Sequence, residues 1–361
     1  MASKTRIYKY DNVKALLICL VVIGHLTTDY VSVSHGIRWF TLWIYAFHMP
    51  AFIFVSGLMH KHYITNEQAA AGIKGNTSLR WDKVIGFLLC AYGLKFFLLI
   101  FRTAIGQHPN FYWLKEPGIP WYLIVMAEYE ILLYLIRRVD WRAMLAGAFA
   151  LSALVGYIPA IGDFLCLSRM INFMPIFLLG YYIDTAKLTE FSKKTWAKIT
   201  SWIIIVASLL VCYFGPWKMY SMRKWFTGRR SYEFLSDFFG DINATAWAIR
   251  LGVWAIALLL TFAVIVVIPD RNMGIVSKIG ANSLNVYFWH RPICYWLNSL
   301  GLFPALVKLC GGSVNNPIAI LLFIMVGVAM TVLFGADIFK HPAKDLTKLG
   351  VTLTNPGKKD K

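Results

Sequence analysis

Acidic residues are the first scarcity. The chain has 18 Asp and Glu against 36 Lys and Arg in 361 residues, and the four types together make up only 15% of it. Soluble globular domains carry about 25% charged residues, so a chain this poor in charge is excluded from that class. Cysteine is sparse as well. Cys19, Cys90, Cys166, Cys212, Cys294 and Cys310 all lie in or beside apolar runs, and no CxxC pair occurs. That excludes a disulfide framework or thiolate metal centre and leaves them as small core hydrophobes. The chain also has no HExxH, no Gly-rich phosphate loop and no nucleophile elbow, so zinc hydrolysis, P-loop chemistry and serine-hydrolase chemistry have no foothold. No metal and no nucleic-acid partner is expected. Internal repeats, low-complexity segments and an appended soluble domain are lacking too. The first apolar run reaches Gly24-His25-Leu26, which is no small-residue cleavage site, so this span is expected to remain in the mature chain.

What the chain has instead is apolar sequence: 58% hydrophobic and 16% aromatic residues. The pattern predicts an all-α polytopic membrane protein of about ten transmembrane helices, each near the length that crosses a bilayer. They fall near 13–31, 37–59, 83–105, 119–137, 143–161, 165–184, 198–214, 246–268, 283–304 and 317–339. The whole of 1–361 reads as a single integral membrane domain with short tails at 1–12 and 340–361. Net charge is +18. With the N-terminus inside, 23 Lys and Arg fall in inner segments, Lys4, Arg6, Lys358, Lys359 and Lys361 among them, and 11 in outer ones. The positive-inside rule then places both termini in the cytoplasm and the protein in the cytoplasmic membrane. One outer stretch, 215–245, runs against the rule. It mixes Lys218, Arg223, Lys224, Arg229 and Arg230 with Trp217, Tyr220, Trp225, Phe226 and Tyr232. Such a stretch suits an anionic glycan, but it suits slightly better an interfacial segment anchored at lipid headgroups.

Candidate chemistry begins in DNVKALLICLVVIGHLTTD, Asp11 to Asp29. An ionisable residue at mid-membrane depth is costly and marks a functional site, and His25 is such a residue. Lys14 precedes it by eleven positions, a helical rise of about 16 Å. Lys14 thus stands at one membrane face and His25 roughly halfway across, an arrangement suited to a long cofactor with an anionic head. Asp29, four residues beyond His25, shares its helix face and is a candidate to orient the imidazole. His48 sits in the second span, two residues before Pro50, whose kink frees carbonyls that must line a cavity or find partners. Ser56-Gly57 allow close helix approach. His60 and His62 read as interfacial residues. Glu128 lies near the centre of the fourth span, with Glu130 on a different face. Arg169 and Asn172 are i, i+3 neighbours opening the sixth. Asn282, Ser283, Asn285, Tyr287, His290 and Arg291 form a polar strip in the ninth.

The setting D-x-x-K-A…VVIGH, followed by FHMPAFIFVSG, WYL, RxxxFxPxFxxGYY and NSLNVYFWH, resembles the acyltransferase-3 family over essentially the whole chain. It is most similar to the branch typified by fucose 4-O-acetylase-like integral membrane acetyltransferases. The resemblance implies ten spans, acetyl-CoA used from the cytoplasmic side, and O-acetylation of an extracytoplasmic glycan or its lipid-linked precursor at the cell surface. The family's basic/His pair corresponds to Lys14 and His25, with Lys where many members have Arg; the charge stays and the planar fork is lost. Some members carry a C-terminal hydrolase-like domain that passes acetyl to the acceptor. Here delivery is expected to fall to the chain itself or to a separate extracytoplasmic transferase.

On this reading Lys14, with Lys61 or Arg138, holds the CoA phosphates. His25 acts as base or acyl carrier, supported by Asp29 or His48. Glu128, Arg169, Asn172, His290 and Arg291 contact the substrate or its oxyanion. The rival class is a transporter or flippase of an anionic glycan or its precursor, which polar intramembrane strips would also suit. The absence of visible paired halves favours the enzyme, and a purely structural scaffold is the weakest alternative.

Overall fold

A computed structural model describes residues 7–354, so Lys4, Arg6, Lys358, Lys359 and Lys361 of the topology reading lie outside the described residues. Among those described the chain is all helical, without a β-strand. Each of the ten predicted segments has a helix: α1 Tyr8–Thr27, α2 His35–Met59, α3 Trp81–Ala104, α4 Trp121–Ile136, α5 Trp141–Leu154, α6 Leu167–Tyr182, α7 Thr195–Phe214, α8 Ala246–Val267, α9 Ser283–Ser299 and α10 Pro317–Phe334. Six of them, α1, α2, α3, α7, α8 and α10, are long and apolar enough to cross a membrane. The other four have 14 to 17 residues. They rise about 21–26 Å, short of a hydrocarbon core of about 30 Å.

The chain divides into two compact units. Unit 1 comprises Met1–Val55, Asp184–Phe226 and Trp254–Lys340; unit 2 comprises Ser56–Ile183, Thr227–Val253 and His341–Lys361.

In unit 1, α1 is the central element. Val13, Leu17, Val22 and Leu26 are fully enclosed, and the helix packs against the short helix Ile275–Ala281, α9 and α10. Glycines set the distances. A Cβ on Gly280 would fall on the Asp11 carbonyl oxygen, and one on Gly327 would lie 2.8 Å from Ile23 Cγ1. α1 starts at Tyr8, earlier than its apolar run, because polar side chains at its first turn find partners. Lys9 Nζ donates to the Ile268 carbonyl at 2.6 Å, and Asn12 Nδ2 donates to the carbonyls of Pro269 and Arg271. Ser277 Oγ donates to Asn12 Oδ1 at 2.6 Å. A buried polar group without such partners costs about 1–3 kcal/mol, so these bonds are what allow Lys9 and Asn12 to be buried.

In unit 2, α4 packs on α3 and α6, and α5 packs on α6. Gly57 gives the close approach its sequence suggests: a Cβ there would lie 2.2 Å from the Phe177 carbonyl oxygen. Tyr129 stacks on Phe177 with ring centroids 4.1 Å apart. The stretch 340–361, read as a tail, contains a further helix, α11 Ala343–Thr354, packed on α3. Two glycines make that contact, Gly350 on α11 and Gly86 on α3; a Cβ on Gly350 would lie 2.6 Å from the Gly86 Cα.

Candidate active site

Lys14 and His25 both belong to α1, which is unbroken between them. Eleven residues turn about 1100°, which leaves the two side chains about 20° apart in azimuth and about 16 Å apart along the axis. They therefore occupy one face. Lys14 Nζ lies 3.0 Å from Asp11 Oδ1, and the lysine side chain keeps 20% of its surface exposed. The cation is thus paired at the first turns of the helix and still partly exposed.

At the other end, His25 is half-buried and its ring lies 5.5 Å from that of His290. His290 is fully buried. Its Nδ1 is 3.0 Å from the Val286 carbonyl; a carbonyl only accepts, so Nδ1 carries the proton. In a neutral imidazole Nε2 is then a lone pair, and here that atom is buried without a hydrogen-bond partner among the described residues. His48 repeats the arrangement, with Nδ1 donating to the Ile44 carbonyl at 2.8 Å and Tyr45 at 4.9 Å from its ring.

The C-terminal end of α1 explains how His25 is held. The last carbonyls of a helix lack i+4 donors, and α9 supplies them. Arg291 Nη1 donates to the His25 carbonyl at 3.0 Å, and Asn298 Nδ2 donates to the Leu26 carbonyl at 3.3 Å. A guanidinium there also complements the helix dipole. Arg291 Nη2 donates to Tyr295 Oη at 3.1 Å, so Arg291 acts as a clamp on the backbone of His25. Asp29 goes elsewhere. α1 ends at Thr27, Thr28–Tyr30 tighten into a 3-10 turn, and the exposed Asp29 accepts from Asn298 Nδ2 at 2.7 Å.

The remaining sequence candidates belong to unit 2. Lys61 and Arg138 are exposed. Glu128 is half-buried, and its Oε2 has no partner among the described residues. Arg169 is buried; it lies 3.7 Å from Asp163 Oδ1, donates to the Pro117 carbonyl at 3.3 Å and stacks over Trp121. Asn172 Nδ2 donates to the Ser168 and Gly228 carbonyls. Both side chains thus hold loop backbone.

Unit 2 also holds a site the sequence reading passed over. Glu130, 2% exposed, accepts from Tyr63 Oη at 2.7 Å and faces His60 Nε2 at 3.3 Å and Arg80 Nη1 at 4.0 Å. Burial and this carboxylate push the Tyr63 hydroxyl well above its ordinary pKa, so it stays a donor. Beside them is a cleft of about 230 Å³ with Arg80, Lys83 and Tyr122 in its lining. The legible signal was the basic Arg80-x-x-Lys83 at the start of α3. In unit 1 the missed residues are Tyr295 and Asn298, at i+4 and i+7 from Arg291 on one face of α9.

Compared with known sequences, residues 7–336 match the profile of the acyltransferase-3 family, described as an acyltransferase domain. No curated protein and no solved structure matches the chain.

Proposed function

The chain belongs to the acyltransferase-3 family, and from that premise we propose a membrane O-acetyltransferase of the fucose 4-O-acetylase-like branch. It takes acetyl from acetyl-CoA on the cytoplasmic side and transfers it to a hydroxyl of an extracytoplasmic or lipid-linked glycan. The observation that supports this best is the single face of α1, with an accessible cation at one end and a backbone-clamped histidine about 16 Å away. Lys14 meets a phosphate of the donor. His25 takes the proton of the acceptor hydroxyl while its oxygen attacks the thioester carbonyl. Collapse of the tetrahedral intermediate breaks the C–S bond, and the proton leaves with the CoA thiolate. In the covalent variant His25 itself attacks the thioester and the C–S bond breaks to expel the CoA thiolate; the hydroxyl oxygen then attacks the acetyl-imidazole, the C–N bond breaks, and the freed imidazole takes the hydroxyl proton. His48 and His290 shape the polar lining. The cationic cleft of unit 2, with Arg80 and Lys83, is a second candidate for holding a phosphate.

The same reading takes the ten helices as ten crossings of the cytoplasmic membrane with both termini inside, from the 23-to-11 distribution of basic residues. Labelling of single cysteines in 185–197 by an impermeant reagent on intact cells would overturn that topology. The transporter alternative draws no support from the family match. The deciding experiment is direct: purified protein in nanodiscs, given acetyl-CoA and a glycan acceptor, should release CoA and acetylate the acceptor. Glycan uptake or flipping without CoA release would favour the transporter.

A further inference from the structure

The basic and aromatic stretch after α7 enters unit 1 as two short turns, Trp217–Met222 and Arg223–Phe226. It meets the start of α2 there. The Arg38 guanidinium lies 3.0 Å from the centroid of Trp217, and that of Arg223 lies 5.0 Å from Tyr45 and 5.2 Å from Tyr220. Arg38 is only 6% exposed, yet its Nη1 is buried without a partner; Arg223 Nε and Tyr220 Oη are in the same condition. Among the described residues neither arginine has an ion pair. Burial pushes the Tyr220 hydroxyl up to about 12, so it remains a donor at neutral pH. Cation–π contact with rings offsets part of the cost of burying a guanidinium, but it leaves the N–H groups unsatisfied. The cluster also reaches the histidine. Tyr45, against which Arg223 lies, packs beside the histidine's neighbour in the chain: a Cβ on Gly24 would meet Tyr45 Cε2 at 3.5 Å.

We propose, resting on the acyl-transfer reading, that Arg38 and Arg223 with Tyr220 form a subsite for an anionic group of the acceptor, a carboxylate or a phosphate. Two planar donor forks and a hydroxyl, with no carboxylate paired to either fork among the described residues, fit the lone pairs of such a group. The subsite would hold the acceptor's charge while one of its hydroxyls lies near His25. It therefore selects acidic sugars or phosphate-bearing carriers over neutral glycans.

Calorimetry on the full chain in nanodiscs at fixed ionic strength, with glucuronate, inorganic phosphate and neutral glucose as probes, tests this. The wild type should bind at least one anion and not glucose; glucuronate alone identifies a carboxylate, and phosphate alone identifies a phosphate. Arg223→Gln and Arg38→Gln should each weaken that binding about tenfold or more. Arg223→Lys should lose less, since it keeps the charge. If Arg38→Gln fails to fold, Arg223→Gln, whose side chain is less deeply buried, decides. Absence of anion binding in the wild type, or equal binding in both variants, overturns the subsite and leaves acyl transfer standing. Anion binding that depends on the arginines, in a protein that never releases CoA from acetyl-CoA, overturns the acyl-transfer reading instead.

Discussion

Arg38 in unit 1 and Arg169 in unit 2 are equally buried, each 6% exposed, and their surroundings treat them oppositely. Arg169 sits over Trp121 beside Asp163, whose carboxylate is also gripped in bidentate fashion by Arg229 at 2.7 and 2.6 Å. Loop carbonyls take further N–H groups. Arg38 has an indole face, and its buried Nη1 has no acceptor among the described residues. Burying a charge costs several kcal/mol unless it is paired. A closed network such as Arg169–Asp163–Arg229 repays that cost within the protein and pins loops. An open one remains costly until something else supplies the acceptor. His290 of unit 1 is open in the same sense, since its buried Nε2 has no partner among the described residues. The contrast is the ground for the anion subsite proposed at Arg38 and Arg223, whereas the Asp163 network holds loop backbone.

The largest effect that sharpens the contrast is at His25. His25→Ala should lower acetyl transfer by about 10²- to 10⁴-fold. Acetyl-CoA affinity and melting temperature should stay close to wild type, because the residue acts mainly in the transition state. Parallel kinetic and thermal measurements check this. A variant that folds and still transfers acetyl at near-normal rate would remove His25 from the chemistry. The opposite profile is expected of Asp163→Asn. It leaves Arg229 and Arg169 without their carboxylate, so stability should fall by about 2 kcal/mol. Turnover of the protein that remains folded should be little changed. If instead this variant melts normally and loses activity, the division into holding and acting networks is wrong.

Much of this was legible in the chain, and the failures share a cause. Apolar runs located the ten main helices, because hydrophobic length is a local property. The shared face of Lys14 and His25 followed from spacing alone. α11 was missed because its packing rests on Ala343, Leu346 and Gly350, an i, i+3, i+7 stripe hidden among lysines and threonines. The loop carbonyls that Arg169 and Asn172 hold are not visible in the chain, because a sequence displays donors but not their acceptors. Glu130 was set aside for the same reason: its partners Tyr63, His60 and Arg80 come from other segments. Asp29 keeps its spacing of four from His25, but the partner its carboxylate accepts from, Asn298, comes from another helix and is not visible in that spacing.

A middle-sized effect tests the far end of α1. Lys14 is half-open and paired to Asp11, so it belongs partly to each class. Lys14→Ala should raise the acetyl-CoA dissociation constant about tenfold, the loss of one exposed charge-assisted contact, whereas Lys14→Arg should bind nearly as well. Calorimetry in nanodiscs distinguishes them. Equal affinity in all three proteins would assign Lys14 to the closed class, as the partner of Asp11 alone. Arg80→Ala, measured alongside, would then show whether the unit 2 cleft carries the phosphate.

The smallest effect is expected where the chain offered the most familiar catalytic picture. A carboxylate that orients a catalytic histidine is worth about 10⁴ in rate when it is replaced by its amide. Asp29 has the right spacing for that role, but it is exposed and accepts from Asn298, the same side chain that caps the Leu26 carbonyl. Its contribution therefore reaches His25 only through the end of α1. Arg291 already holds the His25 carbonyl independently. Asp29→Asn retains an acceptor oxygen for Asn298 and should change the rate by no more than about threefold, the scale of one weakened surface hydrogen bond. Its pH profile should match that of the wild type. A loss of a thousandfold, or a shifted pH profile, would mean that Asp29 swings onto the imidazole during turnover, and the open cluster around His25 would then be closed by its own helix.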